Sequence, residues 1–221
     1  MKITVLIENS VNKIFPMGLL GEHGLSLLVE YKKQKILFDT GQTGKVIENA
    51  IRLGIELKDI SAIVLSHGHY DHTGGLKRIL EFVQKPIHIY AHPEILSLHY
   101  TLYPVERYIG IPFIKEELES LGANFVWTKN YLEIFPGVLV SGEIPRITSF
   151  EKTDRRLVLK TKNKKIPDPV LDDLSLFIKT KKGLVIILGC APNPSLICAN
   201  HCTGLSLALK LNYQYAISST F

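Results

Sequence analysis

The chain has 221 residues, 46% hydrophobic and 21% charged, with a formal net charge of +5. That length supplies one sizeable core and not comfortably two, so a single domain over residues 1–221 is expected. The basic balance favours anionic partners. The lysines, however, form only short clusters at Lys32-Lys33, Lys162 to Lys165 and Lys179 to Lys182, which suits a solvated surface better than a nucleic-acid stripe.

Met1 to Glu8 alternates like a strand and has no secretory core with a cleavage site. Leu25 to Tyr31 and Ile36 to Phe38 read as two further strands around a lysine-rich turn at Lys32 to Lys35. Gly44 to Leu53 has helical spacing in Val46, Ile47, Ala50 and Ile51, stopped by Gly54. Ile60 to Leu65 is a buried strand that runs into a histidine cluster, and Gly74-Gly75 opens a helix carrying Leu76, Ile79, Leu80 and Val83. Ile87 to Ala91 is again strand-like. Ile95 to Tyr103 has a helical reading, as does Lys115 to Leu121; Phe125 to Trp127 and Val138 to Val140 read as strands. Lys160 to Pro169 is a polar loop, and Leu174 to Ile178 with Leu184 to Leu188 forms a hairpin. Strand pairs alternating with helices suit two sheets packed face to face with helices outside. No apolar run is long enough to span a bilayer. Cys190, Cys198 and Cys202 are odd in number, which argues against a disulfide framework and for a reducing, cytoplasmic setting. Three thiols are also one short of an ordinary iron–sulfur cluster.

The strongest chemical signal is Ser66-His67-Gly68-His69-Tyr70-Asp71-His72-Thr73-Gly74-Gly75. His67 and His69, two apart, can point the same way from an extended segment. Asp71 and His72 continue into a tight turn and can face a second position. Gly68 removes bulk between the histidines. Histidine nitrogen and carboxylate oxygen suit zinc first, with iron or manganese as alternatives. One or two such divalent ions would activate water near neutral pH or polarise a substrate oxygen.

On this pattern the sequence resembles the metallo-β-lactamase superfamily, whose signature is His-x-His-x-Asp-His after a strand. It is more closely similar to a prokaryotic branch of metal-dependent hydrolases that includes dihydropterin/ribofuranosylaminobenzene-phosphate synthases. The supporting stretches are Glu22 to Ser26, Leu37 to Gly41, the histidine cluster, Ala91-His92-Pro93, Gly142 to Arg146 and Asp172 to Leu176. The resemblance implies an α/β, αββα sandwich of two packed mixed sheets, shortened at its C-terminal end. It implies that His67 and His69 hold one metal and Asp71 and His72 the other, with Asp71 also the candidate catalytic residue. Asp39 would lie beneath them, either orienting a ligand histidine or capping a turn.

After Gly189-Cys190-Ala191 the sequence has Pro192 where relatives carry a histidine. Asn200-His201-Cys202-Thr203-Gly204 then resembles their terminal ligand motif, which implies an internal deletion and makes His201 a metal candidate. Asp173 is the candidate for the remaining position, with Asp172 as its alternative and turn capping as the reading for both. His92 and Arg146 are candidate substrate-binding residues. Against them stand a strand-end cap for His92 and an ordinary surface arginine for Arg146.

The expected function is a metal-dependent, hydrolase-like enzyme acting on a phosphate-bearing or other anionic small molecule. The alternative is a degenerate metal-binding protein of the same fold without catalysis. No membrane partner is expected and nucleic acid is disfavoured. A homo-oligomer could cover a sheet edge left exposed by the shortened C-terminal part.

Overall fold

Strands β1 (Lys2–Ile7), β2 (Ser26–Tyr31) and β3 (Gln34–Phe38) form an antiparallel meander. Its second turn places Lys32 at φ 53. Helix α1 (Val46–Arg52) then leads to β4 (Ala62–Val64), which lies parallel to β3. Helices α2 (Tyr70–Thr73) and α3 (Leu76–Val83) lead to β5 (Ile87–Ala91), parallel to β4. Strands β6 (His99–Thr101) and β7 (Arg107–Tyr108) leave this sheet, and α4 (Lys115–Ser120) returns the chain to it as β8 (Ala123–Trp127), parallel to β5. The order across the sheet is β1-β2-β3-β4-β5-β8.

The second half of the chain supplies β9 (Leu132–Phe135), β10 (Val138–Val140), β11 (Leu157–Lys160), β12 (Lys165–Pro167), β13 (Leu176–Thr180) and β14 (Gly183–Ile187). These make an antiparallel sheet β14-β13-β10-β9 and a small one, β12-β11-β6-β7. This computed structural model describes residues 1–11, 18–144 and 153–189. Arg146, His201 and all three cysteines lie outside them.

Period-two alternation sorts the apolar side chains into two cores. Leu28, Leu37, Ile63 and Leu65 face the helices and meet Val46, Ala50, Leu76, Ile79 and Leu80. Leu27, Val29, Ile36, Phe38 and Val64 face the other way and meet Val138, Val140, Leu176 and Ile178 of the second sheet. Strands β3 and β4 are covered on both faces, which is why they read as unbroken apolar runs. The packed two-sheet sandwich with helices outside the first sheet is as expected, but only that first sheet is mixed; the second, expected to be mixed too, is antiparallel. No helix among the described residues is long and apolar enough to cross a membrane.

Ile95 to Tyr103 is not a helix. A short 3-10 turn over Pro93–Leu96 is followed at once by β6. Its stability comes from pairing with β11, Leu157 to Thr101 through Leu159 to His99. That long-range ladder leaves no local mark in the sequence. Lys165–Pro167, expected within a polar loop, is the outer strand of the same small sheet.

Candidate metal centre

The histidine cluster sits beyond the carboxyl end of β4, beside the corresponding ends of β3 and β5. Ser66 and His67 follow the strand, the chain bends at Gly68, and His69, extended at φ −71 and ψ 145, is the N-cap of α2. Two carbonyls of that four-residue helix are taken up by neighbouring chain: Leu25 N donates to Asp71 O at 3.3 Å and Thr40 N to His72 O at 2.8 Å. The chain there is tightly apposed. A Cβ on Gly24, which has φ +128, would lie 2.0 Å from Asp71 O. A Cβ on Gly68 would lie 2.5 Å from Ile95 O. Neither backbone can retreat without dragging a histidine with it.

Asp39, fully buried at φ 59, braces the cluster from below. One carboxylate oxygen accepts Ser66 N at 2.7 Å. The other accepts the Ser66 hydroxyl and His72 Nδ1, each at 2.7 Å. The Ser66 oxygen lies 3.0 Å from His67 Nδ1. With the hydroxyl proton directed at Asp39, that oxygen accepts from His67 Nδ1–H. A single carboxylate thus commits both rings to the tautomer whose Nε2 carries a lone pair.

Those Nε2 atoms have complementary neighbours. His67 Nε2 lies 3.0 Å from His69 Nδ1. His72 Nε2 lies 3.4 Å from Asp71 Oδ2. The His67 and His72 rings are 4.2 Å apart between centroids, so the two pairs adjoin. Burial, with the nearby His99 adding to it, pushes the His69 imidazole down to about 4. It is therefore neutral near pH 7 and can donate its nitrogen lone pair. Two adjacent nitrogen or nitrogen–carboxylate pairs, two of the rings tethered by their other nitrogen, fit divalent ions.

Behind the His-x-His turn lies a second buried polar group. His99 Nδ1 is 2.7 Å from Asp168 Oδ2, and its Nε2 is 3.7 Å from Asp172 Oδ2. The His99 ring meets His69 edge-on at 5.5 Å. Asp172 is wholly buried and accepts Gly68 N at 2.7 Å, which pins the turn between the two histidines. Burial would lower the His99 imidazole, but the Asp168 hydrogen bond and the Asp172 charge outweigh it and hold it above the usual value. Burial likewise works against the Asp168 carboxylate, yet His99 keeps it below the ordinary range. Burial raises Asp172. His69, His99 and Asp168 each offer an atom within 4.8 Å of the others, and such a triad could also hold an ion. Sequence reasoning missed His99 and Asp168, because each sits in a stretch whose strand forms only by distant pairing.

The other expected residues are spread around this centre. Asp173 lies at the same crossing as Asp172: a Cβ on Gly189 would be 2.8 Å from its Oδ1 and 2.3 Å from Ser66 Cβ. His92 is buried with both ring nitrogens engaged. Nδ1 caps the 3-10 turn by accepting Glu94 N at 3.1 Å, and Nε2 meets Glu143 at 2.9 Å. Arg146 and His201 lie outside the described residues. His23, not assigned a ligand role, stands with Nε2 3.6 Å from Asp71 Oδ2.

A sandwich with this His-x-His-x-Asp-His turn at its strand ends defines a class of proteins. Residues 20–198 match the sequence profile of the metallo-beta-lactamase superfamily, and the chain belongs to it. It is 36% identical over 200 residues to the 7,8-dihydropterin-6-methyl-4-(beta-D-ribofuranosyl)-aminobenzene-5'-phosphate synthase of Methanocaldococcus jannaschii. That match covers 86% of this chain and 67% of the synthase. An uncharacterized protein of the same organism is 32% identical over 189 residues, covering 86% of this chain and 69% of its own. Among solved structures, a metal-dependent hydrolase of the beta-lactamase superfamily superposes with a TM-score of 0.68 at 27% identity, covering 96% of this chain and 72% of that one.

Proposed function

We propose that the protein is a metal-dependent enzyme acting on a phosphate-bearing small molecule. The observation that carries this is the paired arrangement of His67 Nε2 with His69 Nδ1 at 3.0 Å and His72 Nε2 with Asp71 Oδ2 at 3.4 Å, set by Asp39. His67 and His69 would hold one ion and Asp71 and His72 the other, with Asp173 and His201 as further ligands. Bound divalent ions supply Lewis acidity, which polarises a substrate oxygen and makes a nucleophile available from water near neutral pH. The chain supplies orientation. Asp39 and Ser66 fix the ring tautomers, and Asp172 fixes the turn through Gly68 N. His67 and His72 are closed to solvent, while His69 is only half-buried and the Asp71 side chain keeps 10% of its surface exposed, so substrate would approach from the side these two residues line.

Two observations support a phosphate-bearing substrate: the net charge of +5 and the phosphate named in the Methanocaldococcus synthase. Hydrolysis and synthase-type condensation both draw on the same polarising site. The test is to strip the protein with chelator, reload it with zinc, iron(II) or manganese, and count ions per chain. Turnover is then assayed on phosphodiesters, lactones and the pterin–aminobenzene condensation. Ion uptake with metal-dependent turnover is expected. Uptake without turnover on any of these would mean a metal-binding protein that has lost catalysis, and no uptake would overturn the proposal.

A further inference from the structure

A cation, Arg107, stands at the mouth of this centre beside Tyr70. Arg107 in β7 faces Thr101 across the ladder to β6, so Arg107, Thr101 and His99 share one face of the small sheet. His99 meets His69, so that face is turned toward the histidine cluster. The Arg107 guanidinium lies 5.6 Å from the centroid of the Tyr70 ring, with one nitrogen 3.4 Å from the Tyr70 hydroxyl. Tyr70 stands between His69 and Asp71 in the motif itself. The contact is held by backbone: Tyr70 N donates to Ile109 O at 2.9 Å, and Ile109 N donates to His99 O at 2.9 Å. His23 completes the rim, its ring 6.3 Å from that of Tyr70 and its Nε2 3.6 Å from Asp71 Oδ2.

Arg78 and Arg156 have carboxylate partners in Glu48 and Asp154, whereas Arg107 has none among the described residues. One N–H is directed at the Tyr70 hydroxyl, and the other edge of the guanidinium keeps its N–H donors for an oxyanion. Phosphate matches that edge with two parallel hydrogen bonds. The tyrosine hydroxyl and the His23 ring add hydrogen-bonding groups on the same rim.

We propose that Arg107 and Tyr70 form the subsite for the substrate's phosphate group, seated beside the metal centre on its open side. This rests on the reading that the substrate carries a phosphate. It assigns that group to the rim and leaves the metal-facing atoms for the reacting end of the molecule.

The probes are inorganic phosphate and methylphosphonate, titrated calorimetrically into wild type, Arg107→Ala, Arg107→Lys and Tyr70→Phe. Each protein is measured metal-loaded and chelated, with ions per chain counted in parallel. Loss of a charge-assisted bidentate contact should weaken binding about tenfold or more in Arg107→Ala, with Arg107→Lys recovering only part of it. Tyr70→Phe should weaken it less, and metal content should be unchanged in all three. Phosphate affinity of Arg107→Ala within about twofold of wild type, at equal metal content, would overturn the subsite. So would absence of phosphate binding to the wild type. Metal counting reports separately on the metal centre: a chain that takes up no ion but loses phosphate binding on Arg107→Ala would keep the subsite and lose the metal proposal.

Discussion

Replacing Asp39 with Asn changes one atom and one charge at the brace of the site. The carboxylate accepts three hydrogen bonds, all at 2.7 Å, from Ser66 N, the Ser66 hydroxyl and His72 Nδ1, in a position with no exposure. Asparagine keeps one oxygen for Ser66 N and places an NH2 where the other oxygen was. The Ser66 hydroxyl can rotate and accept from it. His72 Nδ1–H cannot, and faces a donor. Buried hydrogen bonds to a charged group contribute about 1.5–3 kcal/mol each, so metal-free Asp39→Asn should lose about 2–3 kcal/mol of stability. The His72 ring can escape by moving its proton to Nε2, which removes the lone pair aimed at Asp71. The loss of such an outer partner weakens metal affinity about 10–100-fold. Denaturant unfolding of chelated protein measures the first effect, dialysis against buffered free metal the second, and nitrogen-15 NMR the His72 tautomer. Unchanged affinity with an unchanged tautomer would refute the claim that Asp39 sets the ligand geometry.

His99→Ala leaves the buried Asp168 carboxylate without its hydrogen-bond partner; orphaning a buried charged acceptor costs about 1–3 kcal/mol or more, and denaturant unfolding showing no measurable loss would contradict the network. Gly68→Ala drives a methyl to 2.5 Å from Ile95 O and 3.2 Å from Asp172 Oδ2, so metal content should fall along with stability. Gly54→Ala is its control: φ is +68 but the Cβ meets open space, so a loss of about 1 kcal/mol with full metal content is expected. Phe38→Ala, between the two sheets, should cost about 3–5 kcal/mol in the same unfolding assay while sparing the ligand atoms.

The parts of the fold readable from the sequence are those whose signal is local. Ile60 to Leu65 is apolar because β4 is buried on both faces, whereas β10 and β13 turn one face to the core, through Val138, Val140, Leu176 and Ile178. The histidine turn is legible because two histidines spaced by one residue can point the same way from a strand end, and Gly68 and Gly74 allow the chain to close around them. What escaped was set by distant contacts. His99 lies in a strand that exists by pairing with Leu159, and Asp168 lies just after a strand built on the same ladder. Of the two readings of Asp39, the structure shows the brace under His72. His92 fills its strand-end capping role, its second nitrogen taken by Glu143. Arg107 carries no signal in the sequence, since only the fold brings it beside Tyr70.

The most direct test of the central claim is a crystal of metal-loaded protein with anomalous scattering recorded at the metal edge. One peak shared by His67 Nε2 and His69 Nδ1 is expected, and a second shared by Asp71 and His72 Nε2. A single peak among His69, His99 and Asp168, or no peak at the His-x-His-x-Asp-His turn, would contradict it.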